Sequence, residues 1–365
     1  MLGNRHGGIG RYVSELTKRI LELDPINQYF LFFNQNNVDY LDIENLKNFS
    51  QACLVPTKIR HYSLAEQLLF PRILNKYKLN LVHFPNFNVP LRYKAPFVVT
   101  IHDMVHHKIG GAKKSHILHF QAYKKIIKNA ALKSEYVITV SESSKKDICE
   151  ILKISADKVK VIYEGPFLTQ LANEKQVVDI KRQFMINRPY FLFVGVLERK
   201  KNLMALTQGF DLFLRKFKYN FDLVIAGQTD KHYPTVKRQA LNIKFRDHLI
   251  FTDFVNDQEL AALYQGAYAF VSASLHEGFG LPGVEAMQFG LPLVVSNIDV
   301  FNEIYDNAAI YFDPHDLNDI AEKMFLVVRD NQFYLKLRQQ SFARGQLFDW
   351  EETAQKTLEI YKTTF

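Results

Sequence analysis

Two carboxylates, Glu277 and Glu285, stand eight residues apart across a glycine-bearing segment that runs into a helix-like stretch. Pro282 suits the first position of that helix, so Glu285 is predicted in its first turn. The N–H groups of such a turn bind phosphate. Three neighbouring backbone amides join this predicted anion site: Phe279, Gly280 and Leu281. A lone capping glutamate would be the simpler interpretation of one carboxylate. The whole string instead suits a sugar, a diphosphate and a ribose.

Two further segments place polar or glycine residues where a ligand could approach. A buried strand pattern at 97–102 ends in His102, and a histidine there is either a ligand contact or a satisfied core residue. Gly8 and Gly10 belong to a glycine-rich segment that precedes a helical pattern at 12–23. A glycine loop lets the backbone approach a ligand closely, although a plain turn explains it equally well.

Short apolar runs alternate with longer helical stretches, which is typical of βαβ units on parallel sheets. We therefore predict an α/β chain with two Rossmann-like domains that face a cleft, with ligands at the carboxyl ends of the strands. The domains are expected at 1–168 and 169–345, with 346–365 crossing back to the first. The predicted strands are 29–33, 81–84, 97–102, 136–140, 159–163, 190–194, 222–226, 249–251, 268–272, 293–296 and 310–312.

Composition excludes several classes of protein. The 365 residues are 47% hydrophobic and 23% charged, as in a globular chain, and no run of 18 apolar residues predicts a membrane span. The N-terminus lacks a signal-peptide pattern, so a cytoplasmic location is expected. Cys53 and Cys149 match no metal or redox spacing, and no Asp-x-Asp or His/Cys/carboxylate cluster indicates a metal site. We therefore expect no metal and no cofactor.

Charge is distributed unevenly along the chain. Residues 1–180 hold 25 Lys+Arg and 16 Asp+Glu, a net of +9, whereas residues 181–365 hold 21 and 22, a net of −1. Residues 105–134 contain seven lysines with interleaved apolar residues. This pattern indicates either a basic amphipathic helix at an anionic membrane surface or the solvated face of an ordinary helix. No nucleic-acid-binding motif accompanies the charge, so nucleic acid is not an expected partner.

The motifs together resemble those of retaining glycosyltransferases of family 4, the group 1 enzymes with the GT-B fold. The string around Glu277 and Glu285 resembles the family's E-x7-E signature. Three further segments resemble its GIGRY, TiHD and G-x-L-x-P-R-K-N-L elements, and they lie at 7–12, 98–103 and 195–203. Weaker matches at 136–145, 251–264 and 350–354 extend the resemblance over nearly the whole chain.

The resemblance implies a role for each matched residue. Lys201 falls on the lysine that binds the departing diphosphate. A second cation would be Lys200, which stands where arginine is commoner, or Arg199, which stands where proline is usual. Two residues are implied to contact the transferred sugar: Glu277 and His102. Donor binding is further assigned to Glu285 on the ribose, to the amides of Phe279, Gly280 and Leu281, and to Gly8 and Gly10.

The implied reaction is metal-independent transfer of a hexose, mannose by resemblance, from a GDP- or UDP-linked sugar. The acceptor would be a saccharide or lipid-linked saccharide in cell-surface polysaccharide or lipopolysaccharide synthesis, with the enzyme in the cytoplasm or at the inner membrane face. Alternatives are an epimerase or hydrolase of the same fold and a non-catalytic binder. Relatives carry a strand before the glycine segment, and since this chain starts almost at that segment, we expect the first strand of the first sheet to be missing.

Overall fold

A computed structural model describes residues 7–36, 40–108, 117–231 and 233–364. The chain forms two compact units. The first contains Met1–Phe167 and Asp349–Phe365, and the second contains Leu168–Phe348. Each unit carries parallel β-sheet flanked by helices, so the predicted α/β architecture is confirmed. In the described part of the chain, no helix is both long and apolar enough to span a bilayer.

The first unit contains twelve named elements before the boundary. They are α1 (Gly7–Leu23), β1 (Tyr29–Asn34), α2 (Tyr40–Leu46), β2 (Ala52–Thr57), α3 (Leu64–Lys76), β3 (Val82–Phe84), β4 (Phe97–Thr100), α4 (Val105–Lys108), α5 (Ile117–Lys133), β5 (Val137–Thr139), α6 (Glu142–Leu152) and β6 (Val159–Val161). Within the described residues these strands form two parallel sheets: β1 pairs with β2, and the order of the second is β3-β4-β5-β6.

The second unit contains fourteen named helices and strands. They are α7 (Glu174–Gln183), β7 (Tyr190–Val194), α8 (Leu203–Phe217), β8 (Asp222–Ala226), α9 (Val236–Ala240), β9 (Leu249–Asp253), α10 (Asp257–Gly266), β10 (Ala269–Ser272), α11 (Leu281–Gln288), β11 (Leu293–Ser296), α12 (Asp299–Tyr305), β12 (Ala309–Phe312), α13 (Leu317–Arg329) and α14 (Asn331–Gly345). The last helix of the chain, α15 (Trp350–Thr363), belongs to the first unit.

The sheet of the second unit is doubly wound. Its strand order is β12-β11-β10-β7-β8-β9, so the chain runs outward from β7 to β9 and then returns to place β10 on the other side of β7. The four inner strands, β11, β10, β7 and β8, are largely apolar and buried on both faces, as parallel strands covered by helices must be. The topological switch point therefore lies between β7 and β10, where ligands of such sheets bind beyond the carboxyl ends.

Each unit has its own apolar core. In the second unit, the sheet packs against α8 and α13 through residues such as Phe191, Phe210 and Met324. In the first unit, α1 packs against α15 through Tyr12 and Trp350. The Trp350 indole lies 5.3 Å from the Phe167 ring between ring centres, and its Nε1–H donates to the Pro166 carbonyl at 3.1 Å. Helix α15 is thereby fixed to the start of the chain.

Several local predictions were wrong. Strand β2 was not predicted, because Pro56 and its short apolar run resemble a loop. The glycines at 8 and 10 lie inside α1, which begins at Gly7, and do not form a loop. Of the basic stretch 105–134, the structure describes α4 and α5, and the lysines at 113 and 114 lie outside the described residues.

Candidate active site

The basic segment predicted to bind a diphosphate follows the central strand β7. Residues Arg199–Lys201 form a single 3-10 turn that ends at Asn202, which has a positive φ of 50°. Gly195, between strand and turn, has a φ of +147°, and a Cβ there would lie 3.4 Å from Lys201 Cε. The glycine therefore permits both the backbone bend and the close passage of the lysine side chain.

Lys201 and Glu277 form a buried ion pair at the switch point. Lys201 Nζ lies 2.6 Å from Glu277 Oε1, and the side chains are 11% and 9% exposed. Lys200 Nζ lies 3.6 Å from the other carboxylate oxygen. The Ser274 hydroxyl donates to Glu277 Oε1 at 2.7 Å. The structure thus brings together two of the predicted catalytic residues, 76 positions apart, because β7 and β10 are neighbours in the sheet.

The charges around Glu277 keep its carboxylate ionised. Burial alone would raise its pKa, but the ammonium groups of Lys201 and Lys200 and the hydrogen bonds from Lys201 and Ser274 lower it to about 2. Glu277 is consequently an anion at neutral pH and suits the role of hydrogen-bond acceptor. Lys201 retains N–H donors beyond the one that Glu277 accepts, since an ammonium has three.

The loop after Glu277 enters α11 through a left-handed residue. Gly280 is the N-cap with a φ of +94°, and the helix starts at Leu281. Pro282 is therefore the second helical residue, not the first, and Glu285 is the fifth and lies beyond the first turn. The prediction that Glu285 lies in the first turn was therefore wrong, because the helix begins one residue earlier than predicted. As at any helix start, the N–H groups of Gly280 and Leu281 have no carbonyl acceptor within the helix.

Two buried tyrosines, to which the sequence analysis assigned no role, support this loop. The Tyr305 hydroxyl donates to the Gly280 carbonyl at 2.6 Å, and a Cβ at position 280 would lie 2.4 Å from that hydroxyl. The Tyr264 hydroxyl lies 3.1 Å from Glu285 Oε2, and Glu285 is 4% exposed. The Phe279 ring is also buried. The amide-rich turn is therefore held on a packed aromatic base.

His102 follows β4 in the first unit, and acceptors face both of its ring nitrogens. Nε2 lies 3.1 Å from the Pro85 carbonyl, and Nδ1 lies 3.3 Å from Glu164 Oε1. Burial lowers the pKa of His102, but the hydrogen bond and charge of Glu164 outweigh it, so the pKa is raised overall. The Tyr12 ring lies edge-on at 4.7 Å. This geometry favours an imidazolium with a fixed orientation.

Glu164 is a site residue that sequence reasoning missed. It is 7% exposed and follows β6, two strands away from β4 in the sheet. The only signal in the sequence was a carboxylate directly after the predicted strand 159–163. No group of three metal-binding side chains is present among the described residues.

Gly8 offers a test of close approach to the backbone. A Cβ at this position would meet no protein atom within 4 Å. We expect Gly8→Ala to leave stability unchanged or to raise it by about 0.5–1 kcal/mol, because alanine favours helix over glycine. If a ligand lies against this backbone, the same change lowers kcat/KM. Thermal unfolding and steady-state kinetics of one preparation separate the two effects, and unchanged kinetics would remove Gly8 from the site.

Comparison with known proteins identifies both halves of the chain. The family model "Glycosyltransferase Family 4" matches residues 6–166, and that of "Glycosyl transferases group 1" matches residues 178–344. The chain is 28% identical to O-antigen chain mannosyltransferase B of Escherichia coli over 97% of this chain and 96% of that protein. It is 29% identical to the serotype-specific mannosyltransferase WbdA of Escherichia coli over 62% of this chain but only 28% of the relative.

Solved structures share the fold. A crystal structure of Anabaena Alr3699/HepE in complex with UDP and glucose superimposes with a TM-score of 0.78, covering 99% of this chain and 98% of that one at 15% identity. A crystal structure of WaaG, a glycosyltransferase involved in lipopolysaccharide biosynthesis, has a TM-score of 0.74 at 13% identity, over 97% of this chain and 96% of that one. These likenesses establish the two-domain GT-B fold.

Proposed function

Because the chain belongs to the family 4 glycosyltransferases of group 1, we propose that it transfers mannose from a nucleotide sugar to a hydroxyl of a growing cell-surface polysaccharide. The observation that carries this proposal is the buried Lys201–Glu277 pair at the switch point, directly before the start of α11. The similarity to O-antigen mannosyltransferase B over nearly the full length of both chains supports the choice of sugar and of pathway.

We assign the diphosphate to Lys201, Lys200 and the amides of the α11 start. Lys200 is preferred over Arg199 as the second cation, because its ammonium lies 3.6 Å from Glu277 whereas Arg199 is exposed. Cations beside the leaving group stabilise the charge that develops when the glycosidic bond breaks. Because lysines supply this charge, the reaction is proposed to need no metal. The donor is a GDP- or UDP-linked sugar.

Glu277 and His102 are proposed to bind the transferred sugar, and Glu285 the ribose. An ionised carboxylate accepts hydrogen bonds from sugar hydroxyls, and the low pKa of Glu277 keeps it in that form. Both ring nitrogens of His102 face protein acceptors, Pro85 and Glu164, so its assignment to the sugar follows from the family resemblance. The roles of Gly8 and Gly10 follow from the family resemblance alone.

The proposed reaction retains the configuration at the anomeric carbon. The bond from the anomeric carbon to the diphosphate breaks, and the bond to the acceptor oxygen forms on the same face. The departing phosphate oxygen takes the acceptor proton. Glu277 does not act as the acid in this scheme, because a carboxyl whose pKa is about 2 carries no proton at neutral pH.

A product assay tests the proposal directly. The protein is incubated with GDP-mannose or UDP-linked sugars and a mannose-terminated acceptor in the presence of EDTA, and the product is analysed by NMR. We expect a lengthened saccharide whose new linkage keeps the donor's anomeric configuration. Release of free sugar or an epimer in place of transfer would contradict the proposal and favour a hydrolase or epimerase.

The acceptor is proposed to be a saccharide carried on a lipid, with the enzyme at the inner face of an anionic membrane. The net charge of +9 on residues 1–180 supports this location. The membrane contact therefore has to be sought on the surface of the first unit.

A further inference from the structure

Helix α3 carries apolar side chains on two faces. Its inner face contributes Leu74, which is 1% exposed, and Phe70 to the core of the first unit. Its outer face carries Leu64 and Leu68, one helical turn apart, with Leu69 beside them. These three leucines are 82%, 51% and 45% exposed. Exposed leucines grouped on one helix face are typical of an interaction surface.

The surroundings of these leucines are cationic. The outer row continues at the same four-residue spacing with the exposed Arg72 and Lys76, and the exposed Arg60 precedes the helix. Residues 46–102 contain eight Lys+Arg and a single acidic residue, Glu66. Glu66 is 4% exposed, and its carboxylate accepts hydrogen bonds from the Tyr62 N–H at 2.8 Å and the Asn88 side chain at 2.7 Å. The acid is thus turned inward, and the exposed charged side chains of this stretch are all cations.

Helix α5, which the lysine-rich sequence favoured as the membrane element, has a different surface. Its apolar residues Ile127, Ala130 and Ala131 are fully buried in the core of the first unit. Among the described side chains of α5, one large apolar side chain is exposed, that of Leu132 at 51%. The lysines of α5 therefore lie on a helix whose apolar face is already covered by its own unit.

We infer that α3 docks the protein on an anionic membrane surface. Leu64, Leu68 and Leu69 enter the boundary between headgroups and acyl chains, and the cations of Arg60, Arg72 and Lys76 contact lipid phosphates. An interfacial helix combines these two features. The exposed charged residues of 58–78 are all cations, which fits a negative partner better than a mixed protein interface. The inference rests on the proposed function, since a lipid-linked acceptor brings its enzyme to the membrane.

Vesicle binding tests the inference with the full chain. The protein is sedimented with vesicles of phosphatidylcholine alone and of phosphatidylcholine with phosphatidylglycerol, without any sugar donor. We expect binding only to the anionic vesicles. The pair Leu64→Ser and Leu68→Ser should lower the partition coefficient at least about tenfold, from lost apolar burial. Arg72→Gln and Lys76→Gln should lower it about fivefold for each charge removed.

A matched control lies in the same unit. Leu132→Ser replaces a leucine with the same 51% exposure as Leu68, and we expect it to change the partition coefficient by about twofold or less, since α5 has no row of bare leucines. The α3 side chains concerned are exposed, so melting temperatures should be unchanged. Wild-type binding by the α3 variants would overturn the inference. So would a solution dimer that Leu64→Ser and Leu68→Ser convert to monomer.

The docking surface and the proposed reaction can be contradicted independently of each other. None of the α3 residues belongs to the donor site, so transfer to a soluble acceptor should be unchanged in the α3 variants. Vesicle binding without any transferase activity would contradict the proposed function and leave the docking surface intact. Transferase activity with no preference for anionic vesicles would overturn the docking surface alone.

Discussion

Lys201→Ala is expected to lower kcat/KM by at least about 10²-fold, the scale of losing one electrostatic contact to a charge that develops in the transition state. The same change leaves the buried Glu277 carboxylate without its nearest cation. Removing one partner of a buried pair costs about 3–5 kcal/mol, and Lys200 at 3.6 Å should hold the loss near the lower value. Stability and activity are measured separately, by thermal unfolding and by initial rates below the unfolding transition.

Two further variants separate catalysis from folding. Adding Glu277→Gln to Lys201→Ala removes the uncompensated charge, so much of the lost stability should return while the activity stays low. Lys216→Ala is the matched control, because its pair with Glu322 joins side chains that are 45% and 47% exposed. We expect less than about 1 kcal/mol and no loss of activity from it. Recovery of activity in the double variant would rule out Lys201 as a diphosphate ligand.

Trp350→Ala is expected to destabilise the first unit by about 3–5 kcal/mol. Removal of a buried tryptophan loses its transfer free energy and leaves a cavity. Trp350 is 4% exposed, its ring contacts Tyr12 and Phe167, and its N–H bonds the Pro166 carbonyl. In a unit of this size the loss corresponds to a fall of roughly 10 °C in melting temperature. Calorimetry of the wild type and the variant measures the difference.

Trp350→Phe separates the contribution of the aromatic ring from that of the N–H donor. It keeps an aromatic ring against Phe167 but loses the N–H donor, and we expect an intermediate cost because the Pro166 carbonyl loses its partner. Leu132→Ala, at a half-exposed leucine of the same unit, should cost less than about 1 kcal/mol. If Trp350→Ala melts within about 2 °C of the wild type, α15 does not hold the first unit together.

The strands of the second unit could be predicted well from the sequence. Runs such as Tyr190–Val194 and Leu293–Ser296 are rich in β-branched and aromatic residues and agree with the structure residue for residue. Strand β2 was missed because Pro56 interrupts such a run. The helix starts were the least predictable, since glycine at 7–10 and proline at 282 mark a boundary without fixing its residue.

The contacts of the site could be predicted only where strand order implied them. Glu277 and Lys201 each follow a predicted strand, but their pairing depends on β10 lying beside β7, which a linear sequence does not specify. The partnership of His102 with Glu164 and the support of Gly280 by Tyr305 depend on packing across 62 and 25 residues. The family resemblance implied the role of each residue, whereas only the fold shows which residues contact one another.

Thermal shift with a panel of nucleotide sugars in EDTA shows whether Lys201 holds the donor without a metal. We expect one nucleotide class, GDP- or UDP-linked, to stabilise the wild-type protein by about 2.7 kcal/mol at 100 times its Kd. At the same concentration, Lys201→Ala should show little or no shift while Lys216→Ala matches the wild type. No shift of the folded wild type with any nucleotide sugar, or an equal shift in Lys201→Ala, would contradict the donor site described above.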